Sequence, residues 1–252
     1  MKDEQRPSDG QTISRAVMIM KALAEKPGAS FGQVANMTGL PRSTVQRLIR
    51  VLNQEGLVTK AFGQQGAYLG MELARLGAKV KIEPRVLLKP LMEELHEEVG
   101  DNIDLTTMEN GQVFVIEQIA SNETIRVISF VGMQHPIHCT ANGKAHLSML
   151  EHAEALRLLG DKPRACTSRT RTDPKRIMAE IDKAREGMLF LDEEEYSEGA
   201  CAIAVPLPRI GHHDLALSVA MPTSRFERLR DQVSDALLRF RAKVIDTYGS
   251  SI

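Results

Sequence analysis

Residues 39–52 read GLPRSTVQRLIRVL, and this stretch decides the fold of the N-terminal third of the chain. Its apolar side chains recur at the i, i+3, i+4, i+7 spacing of a helix that buries one face, at Val45, Leu48, Ile49 and Leu52. The opposite face carries guanidinium, hydroxyl and amide groups and no carboxylate: Arg42, Ser43, Thr44, Gln46, Arg47 and Arg50. Such groups hydrogen-bond base edges and phosphates in the major groove. The stretch therefore predicts a DNA recognition helix.

The residues before this helix supply the turn that a helix-turn-helix needs. Ser30 and Gln33 have the spacing of a capping box, which predicts a short helix that continues to Met37. Gly39 can adopt the left-handed conformation that turns the chain. Pro41 suits a first helical turn, because a residue there has no intrahelical N–H bond to lose.

The segments around these two helices complete a winged helix-turn-helix. Residues 57–59 and 67–69 are predicted strands around a glycine-bounded loop at 62–66, which would form the wing. A helix predicted from Thr12 to Ala24 carries Arg15, which we expect to meet phosphate. The predicted segments are a flexible arm over residues 1–10 and a DNA-binding domain over residues 11–70.

Charge is segregated along the chain in a way that agrees with DNA binding. A small amphipathic hairpin with a solvated charged face is the simplest alternative, but the turn glycine, Pro41, the acid-free face and the wing all coincide. Residues 1–80 hold eleven Lys and Arg against six Asp and Glu, a net of +5. The remaining residues therefore carry −6 of the total of −1. A domain that releases phosphate counterions needs this excess of positive charge.

Composition bounds the remaining possibilities. The chain has 252 residues, of which 42% are hydrophobic, enough for two domains. No apolar run approaches the roughly 18 residues of a membrane span, and no signal peptide is visible, so a cytoplasmic protein is predicted. The three cysteines form no C-x-x-C pair, which fits a reducing compartment.

A helix that joins the two domains is predicted over residues 71–83. Its apolar positions keep a helical spacing at Leu69, Leu73, Leu76 and Val80. A helix between domains has no core of its own to fill, so this seam predicts pairing with a second copy of the chain. A homodimer, or a homotetramer built as a dimer of dimers, is expected.

The pattern changes at Pro84, and residues 84–252 are predicted to form a second domain. A helix ending near Gly100 is followed by two strands joined through Asn110-Gly111, a strong hairpin signal. Further strands are predicted at residues 125–131, 202–207 and 215–220. Helices are predicted after Gly143, over residues 151–159, after an Asp173-Pro174 start, and from a capping box at Ser224 to about Tyr248. The fold class is α/β, of the α+β kind, with an antiparallel sheet flanked by helices.

Several short motifs together resemble the IclR family of bacterial transcription regulators over nearly the full length. In the first domain they are Ile13-Ser14-Arg15-Ala16, Thr38-Gly39-Leu40-Pro41, Ser43-Thr44, Arg47-Leu48 and Tyr68-Leu69-Gly70. In the second they are Pro136-Ile137-His138, Thr140-Ala141, Gly143-Lys144-Ala145, Glu195, Gly199, Ala204-Val205-Pro206 and Pro222. The resemblance implies a winged helix-turn-helix, a linker helix, and a GAF-like effector domain that binds a small metabolite.

The resemblance also implies which residues form the effector pocket. They are Ala141, Asn142, Asp192, Ala200, Ala202, Ser218 and Ala220. Cys201-Ala202 stands where members of the family often have Arg-Cys, and Ala220 stands where they often have a second serine. Both departures remove polar groups, so we expect a partly apolar effector, such as an organic or aromatic acid, rather than a very small hydrated one.

Two other classes of protein are weighed against a ligand-gated regulator that binds a palindromic operator. His135, His138 and Cys139 offer imidazole and thiolate ligands for zinc or a softer metal, but they lack the paired-cysteine spacing of structural zinc sites. Cys139 or Ser148, beside His138 or His146, could form a nucleophile and base, but no glycine elbow surrounds either nucleophile. We therefore predict neither an enzyme nor a bound cofactor.

Overall fold

The computed structural model describes residues 9–60, 66–77, 79 and 83–248. The chain divides into two compact units, residues 1–81 and residues 82–252. No helix in the described part of the chain combines the length and the hydropathy of a membrane span.

The described part of the first unit contains four helices and a small antiparallel sheet. Its helices are α1 (Asp9–Glu25), α2 (Phe31–Thr38), α3 (Arg42–Gln54) and α4 (Met71–Gly77). Its strands are β1 (Ala29–Ser30), β2 (Val58–Lys60) and β3 (Gly66–Leu69), in the order β1-β3-β2. The apolar stripe of α3 lies in one core with residues of α1, α2 and β2, among them Ile19, Leu23, Val34 and Val58. Burial of this stripe orients the polar face of α3 outward.

The turn between α2 and α3 has the predicted geometry. The Ser30 side chain accepts from the backbone of Gln33 while the Gln33 side chain accepts from the backbone of Ser30, which confirms the capping box. Gly39 ends α2 in the left-handed conformation, with φ of 69°. Pro41 is the N-cap of α3, one position before the first turn in which it was predicted.

Parts of three predicted segments lie outside the described residues. They are residues 1–8 of the arm, residues 61–65 of the wing loop, and residues 78 and 80–82 of the linker, which include Val80. Within the described part, α4 ends at Gly77 and Lys79 lies in a turn. The helix seen there is thus shorter than the predicted linker helix.

The second unit is a six-stranded antiparallel sheet between two layers of helices. Its helices are α5 (Glu83–Val99), α6 (Ala141–Ser148), α7 (His152–Leu159), α8 (Pro174–Arg185) and α9 (Thr223–Tyr248). Its strands are β4 (Asn102–Glu109), β5 (Gln112–Ile119), β6 (Gln134–His135), β7 (Phe190–Glu193), β8 (Ala200–Ile210) and β9 (His213–Pro222). They lie in the order β6-β5-β4-β9-β8-β7. Positive φ angles at Asn110 and Gly111 confirm the predicted β4–β5 hairpin turn.

The two faces of this sheet have different partners. Ile103 and Leu105 alternate onto the face that packs against α5 and α9. Ala204 and Ala216 lie on the other face, in a smaller core with α6, α7 and α8. Strand residues that alternate with those of the main core therefore point toward α6, and this includes the polar ones.

Three features of this unit differ from the sequence predictions. Residues 125–131 form no strand, because the adjoining edge of β5 is already bonded by Gly132 and Met133 and then by β6. The strand β7 was not among the predicted strands. Ser224 is not an N-cap, because α9 already includes Thr223.

The position of α6 depends on a close approach of its backbone at Gly143. A Cβ atom there would lie 2.4 Å from the carbonyl oxygen of Ile137, too close for any side chain. The backbone N–H of Gly143 donates to Oγ1 of Thr140, the N-cap of α6, at 3.0 Å.

We predict that Gly143→Ala lowers the free energy of unfolding by about 1–3 kcal/mol, the usual cost of overpacking a core. Gly187→Ala is the matched control, because the nearest atom to its added Cβ lies 4.0 Å away. The control should stay within about 0.5 kcal/mol of the wild type. Urea unfolding of both variants measures the difference, and equal stabilities would show that α6 tolerates displacement.

Candidate functional site

The first candidate surface is the polar face of α3. Arg42, Ser43, Gln46, Arg47 and Arg50 are exposed, whereas Thr44 and Arg15 are half-buried. In the described part of the chain none of these seven residues forms an ion pair with a carboxylate. Their donors are thus free to bind an external polyanion.

The second candidate is a cavity of about 630 Å³ on the α6 side of the large sheet. All seven residues assigned to the effector pocket by the family resemblance line it: Ala141, Asn142, Asp192, Ala200, Ala202, Ser218 and Ala220. They come from α6, β7, β8 and β9, which are far apart in sequence. The structure therefore brings the whole predicted set into one place.

Strand register explains how these residues meet. Asp192 pairs with Ala202, Ala202 with Ala220, and Ala220 with Asn102, so four residues form one row across the sheet. Ser218 and its cross-strand partner Asp104 belong to the next row. Cross-strand partners project from the same face. The methyl groups of the two alanines leave space above the sheet, and this space is the cavity.

Helix α6 contributes a polar group from its first turn. Nδ2 of Asn142 donates to Oγ of Ser218 at 2.7 Å. The other amide atom, Oδ1, is buried and has no hydrogen-bond partner in the described part of the protein. Nδ1 of His135, at another wall of the cavity, is likewise buried and unpartnered. Burial lowers the pKa of His135 to about 4, so its imidazole is neutral at neutral pH.

Asp192 occupies a buried position on β7. Its Oδ1 accepts hydrogen bonds from the backbone N–H groups of Glu195 at 2.8 Å and Tyr196 at 3.3 Å. Burial nevertheless raises the pKa of Asp192 to about 7, because removal from water disfavours the charged form more than these bonds favour it.

Asp104 is a second buried carboxyl group of the cavity, and sequence reasoning missed it. Its Oδ1 accepts from Nδ2 of Asn102 at 3.1 Å and from the Ser129 hydroxyl. Burial raises the pKa of Asp104 to about 6. The sequence signal for this buried carboxyl group was an aspartate between the apolar residues Ile103 and Leu105. It was not followed because polar residues that alternate with apolar ones in a strand usually mark a face exposed to water.

The buried cation nearest to Asp192 is already fully bound. The Lys144 side chain is 1% exposed. Its ammonium group donates to Oε1 of Glu195 at 2.5 Å, Oε1 of Glu180 at 2.9 Å and the carbonyl of Leu191 at 2.8 Å. An ammonium group has three donors, so none remains for a ligand.

The residues proposed for a metal site are not brought together as a set. The described residues contain one group of suitable ligands, His138, Cys139 and Cys166, and His135 is not part of it. Within it, Nε2 of His138 is bonded to the carbonyl oxygen of Arg164 at 2.8 Å, and the two sulfur atoms are 3.8 Å apart. Burial raises the pKa of Cys139, which disfavours the thiolate that a metal requires.

The residues considered for nucleophilic catalysis are bonded elsewhere. The Ser148 hydroxyl donates to the carbonyl of Ala145 at 2.7 Å. Nε2 of His146 is bonded to Oγ1 of Thr106 at 3.0 Å, deep in the core. Neither residue is therefore placed as a nucleophile or its base.

Comparison with known proteins adds independent findings. The model described as "Bacterial transcriptional regulator IclR C-terminal" matches residues 80–247, and "IclR helix-turn-helix domain" matches residues 12–61. The chain is 32% identical to the HTH-type transcriptional regulator Rv1719 of Mycobacterium tuberculosis, over 93% of this chain and 91% of that protein. It is also 32% identical to the HTH-type transcriptional regulator TtgV of Pseudomonas putida, over 95% and 92%.

A solved structure of similar fold contains a bound small molecule. It is an IclR homolog from Microbacterium hydrocarbonoxydans complexed with 4-hydroxybenzoate. It aligns with a TM-score of 0.69 and 23% identity, over 92% of this chain and 99% of that one.

The raised pKa of Asp192 predicts a pH-dependent stability. The native state holds this proton more tightly than the unfolded chain, so the contribution of Asp192 to the free energy of unfolding falls as pH rises from about 4 to about 7. Asp192→Asn cannot ionise. Its stability relative to the wild type should therefore increase between pH 5 and pH 8, on the order of 2 kcal/mol. Denaturant unfolding at both pH values measures this change in relative stability. The control is Asp231→Asn, at an exposed position of α9. Parallel curves for the wild type and Asp192→Asn would contradict it.

Proposed function

Because the chain belongs to the IclR family of bacterial transcriptional regulators, we propose that α3 recognises its operator and that the cavity on the large sheet binds a small-molecule effector. The effector assignment rests on one observation. The seven residues that the family resemblance assigns to the effector pocket all line a single cavity. The proposed domains are residues 11–70 for DNA, 71–83 for the linker and 84–252 for the effector and for assembly. We propose a non-enzymatic function, exercised in the cytoplasm where the DNA lies.

The exposed face of α3 divides into base-reading and phosphate-binding positions. Arg42, Gln46 and Arg47 lie near the N-terminal end of the helix, the end that commonly contacts base edges. Arg and Gln form bidentate hydrogen bonds with guanine and adenine. Arg50, one turn further on, and Arg15 on α1 are proposed to bind phosphate, which gives affinity without sequence preference. Ser43 and Thr44 add hydroxyl donors beside them.

Exposed apolar side chains in the first unit support a homodimer. Leu69 and Leu76 of the predicted seam are exposed, and Met71 between them is 82% exposed. Large apolar side chains clustered on a surface indicate a protein interface. A two-fold dimer would present two copies of α3 to a palindromic operator. A dimer of such dimers is equally compatible with these residues.

The cavity suits the effector role by its composition. It is lined by apolar side chains together with buried polar groups, among them Asp104, Asn142 and Ser218, and small-molecule sites commonly combine the two. An organic or aromatic acid is the effector class expected from the sequence. Effector binding would favour one arrangement of the dimer over another and so change operator affinity through the linker.

The assignment of α3 predicts the effect of two substitutions. Arg42→Ala and Arg47→Ala should each cost roughly 1–3 kcal/mol on the specific operator, because each removes a base contact. Arg50→Ala should weaken specific and random DNA alike. The operator is first selected from a random-sequence pool, and Kd is then measured at low salt for both kinds of DNA. Unchanged operator affinity in both Arg42→Ala and Arg47→Ala would show that α3 is not the recognition helix.

The assignment of the cavity predicts that a larger side chain at Ala220 blocks it. We expect Ala220→Leu to abolish the rise in Tm that a bound ligand produces, since the ligand stabilises only a protein that can hold it. Suitable probes are 4-hydroxybenzoate and its methyl ester. Ala153→Leu, on the exposed face of α7, is the matched control and should keep the rise. A ligand-induced rise that survives in Ala220→Leu would place the effector elsewhere.

A further inference from the structure

The polar part of the cavity offers mainly acceptor oxygens to a ligand. We call Asp104, Asn142, Asp192 and Ser218 the polar floor. Oδ1 of each aspartate already accepts hydrogen bonds from the protein. Oδ2 of each has no donor among the described residues, and neither has the buried Oδ1 of Asn142. A buried acceptor without a donor is costly, so Oδ1 of Asn142 favours a ligand that brings a donor, and the two Oδ2 atoms offer further acceptors beside it.

Free positive charge is lacking at the polar floor. Arg126 is the one lysine or arginine among the described residues that line the cavity, and it is exposed, with its guanidinium bonded to the carbonyl of Glu123. Lys144, nearby, is saturated by its three acceptors. A carboxylate at the polar floor would add negative charge beside two buried carboxyl groups with no counter-charge. Removing a charged carboxylate from water without a counter-charge is costly.

Apolar side chains elsewhere in the lining suit a ring. They include Ile125, Val127, Ile128 and Met133, together with the methyl groups of Ala202 and Ala220. Only the exposed end of the cavity, at Arg126, offers a place for an anion. A molecule with a hydroxyl group at one end and a carboxylate at the other would therefore enter with the hydroxyl first.

We infer that the polar floor is a hydroxyl-recognition site, which selects a phenol-like effector by its donor group and does not require the ligand to carry a carboxylate. This inference rests on the proposed effector role of the cavity and adds the chemical class of the ligand. The hydroxyl donates to the free acceptors of Asp104, Asn142 or Asp192, and the ring packs against the apolar walls. A carboxylate on the same molecule stays at Arg126, in contact with solvent.

Three compounds that differ by one group each test this inference. They are 4-hydroxybenzoate, methyl 4-hydroxybenzoate, which lacks the charge, and methyl benzoate, which also lacks the hydroxyl. Their Kd values are measured by titration calorimetry on the full-length protein. We expect the hydroxy ester to bind although it lacks the carboxylate, and the compound without the hydroxyl to bind at least tenfold more weakly than the hydroxy ester.

Two variants assign the preference to the polar floor. Asn142→Leu replaces the amide by an apolar group of similar size, and Asp104→Asn replaces the second carboxylate oxygen by a donor. In at least one of them the preference for the hydroxyl compound should fall severalfold, while Arg126→Ala should leave the affinity for the hydroxy ester unchanged. Folding of both variants is checked by circular dichroism. A loss of the preference in one correctly folded variant is enough to assign hydroxyl recognition to the polar floor.

The outcomes separate the inference from the proposed function. A preference for the hydroxyl compound that is unchanged in both Asn142→Leu and Asp104→Asn would overturn hydroxyl recognition at the polar floor and leave the cavity as the effector site. Equal binding of methyl benzoate and methyl 4-hydroxybenzoate, or binding of none of the three, would also overturn the inference. Ligand binding that persists in Ala220→Leu would instead overturn the proposed site itself.

Discussion

The buried ammonium group of Lys144 is the constraint on which the geometry of the cavity depends. Its three acceptors belong to different parts of the second unit: Glu180 on α8, Leu191 on β7, and Glu195 in the loop after β7. A lysine that is removed from water needs all its donors satisfied, and only one arrangement of α6, α8 and β7 supplies these acceptors together. Glu195 in turn donates its backbone N–H to Asp192. The charge pair thus fixes the segment that carries a wall of the cavity.

Sequence reasoning succeeded where the controlling interactions are local. The recognition helix follows from the spacing of Val45, Leu48 and Ile49, and its turn follows from a capping box and a left-handed glycine, all within a few residues of one another. The Asn110-Gly111 hairpin is determined by the backbone freedom of two residues. No tertiary contact is needed to predict such features. Their positions in the structure agree with the prediction to within one or two residues.

Sequence reasoning failed where contacts with distant segments of the chain determine whether a residue is buried. Asp104 alternates with core residues of β4 and would face water in a two-layer fold, but α6 covers that face of the sheet. Asp192 lies in an acidic run that suggests a solvated loop, yet pairing with β8 makes it a buried strand residue. Residues 125–131 have strand composition but find no free edge beside β5. In each case a partner from elsewhere in the chain determines the outcome. Only the family resemblance, which carries such tertiary information, placed Asp192 beside Ser218.

The polar groups to which we assign the selectivity of the cavity also lower the stability of the native state. Unpartnered acceptors at Asn142 and two carboxyl groups with raised pKa values destabilise the native state relative to an apolar core. Natural proteins tolerate such local conflicts mainly at functional sites. A ligand that brings the missing donors recovers part of this free energy on binding. A regulator can shift its conformational equilibrium only by the free energy with which a ligand distinguishes two states. In the proposed function, a ligand that satisfies these groups in one state alone would supply that free energy.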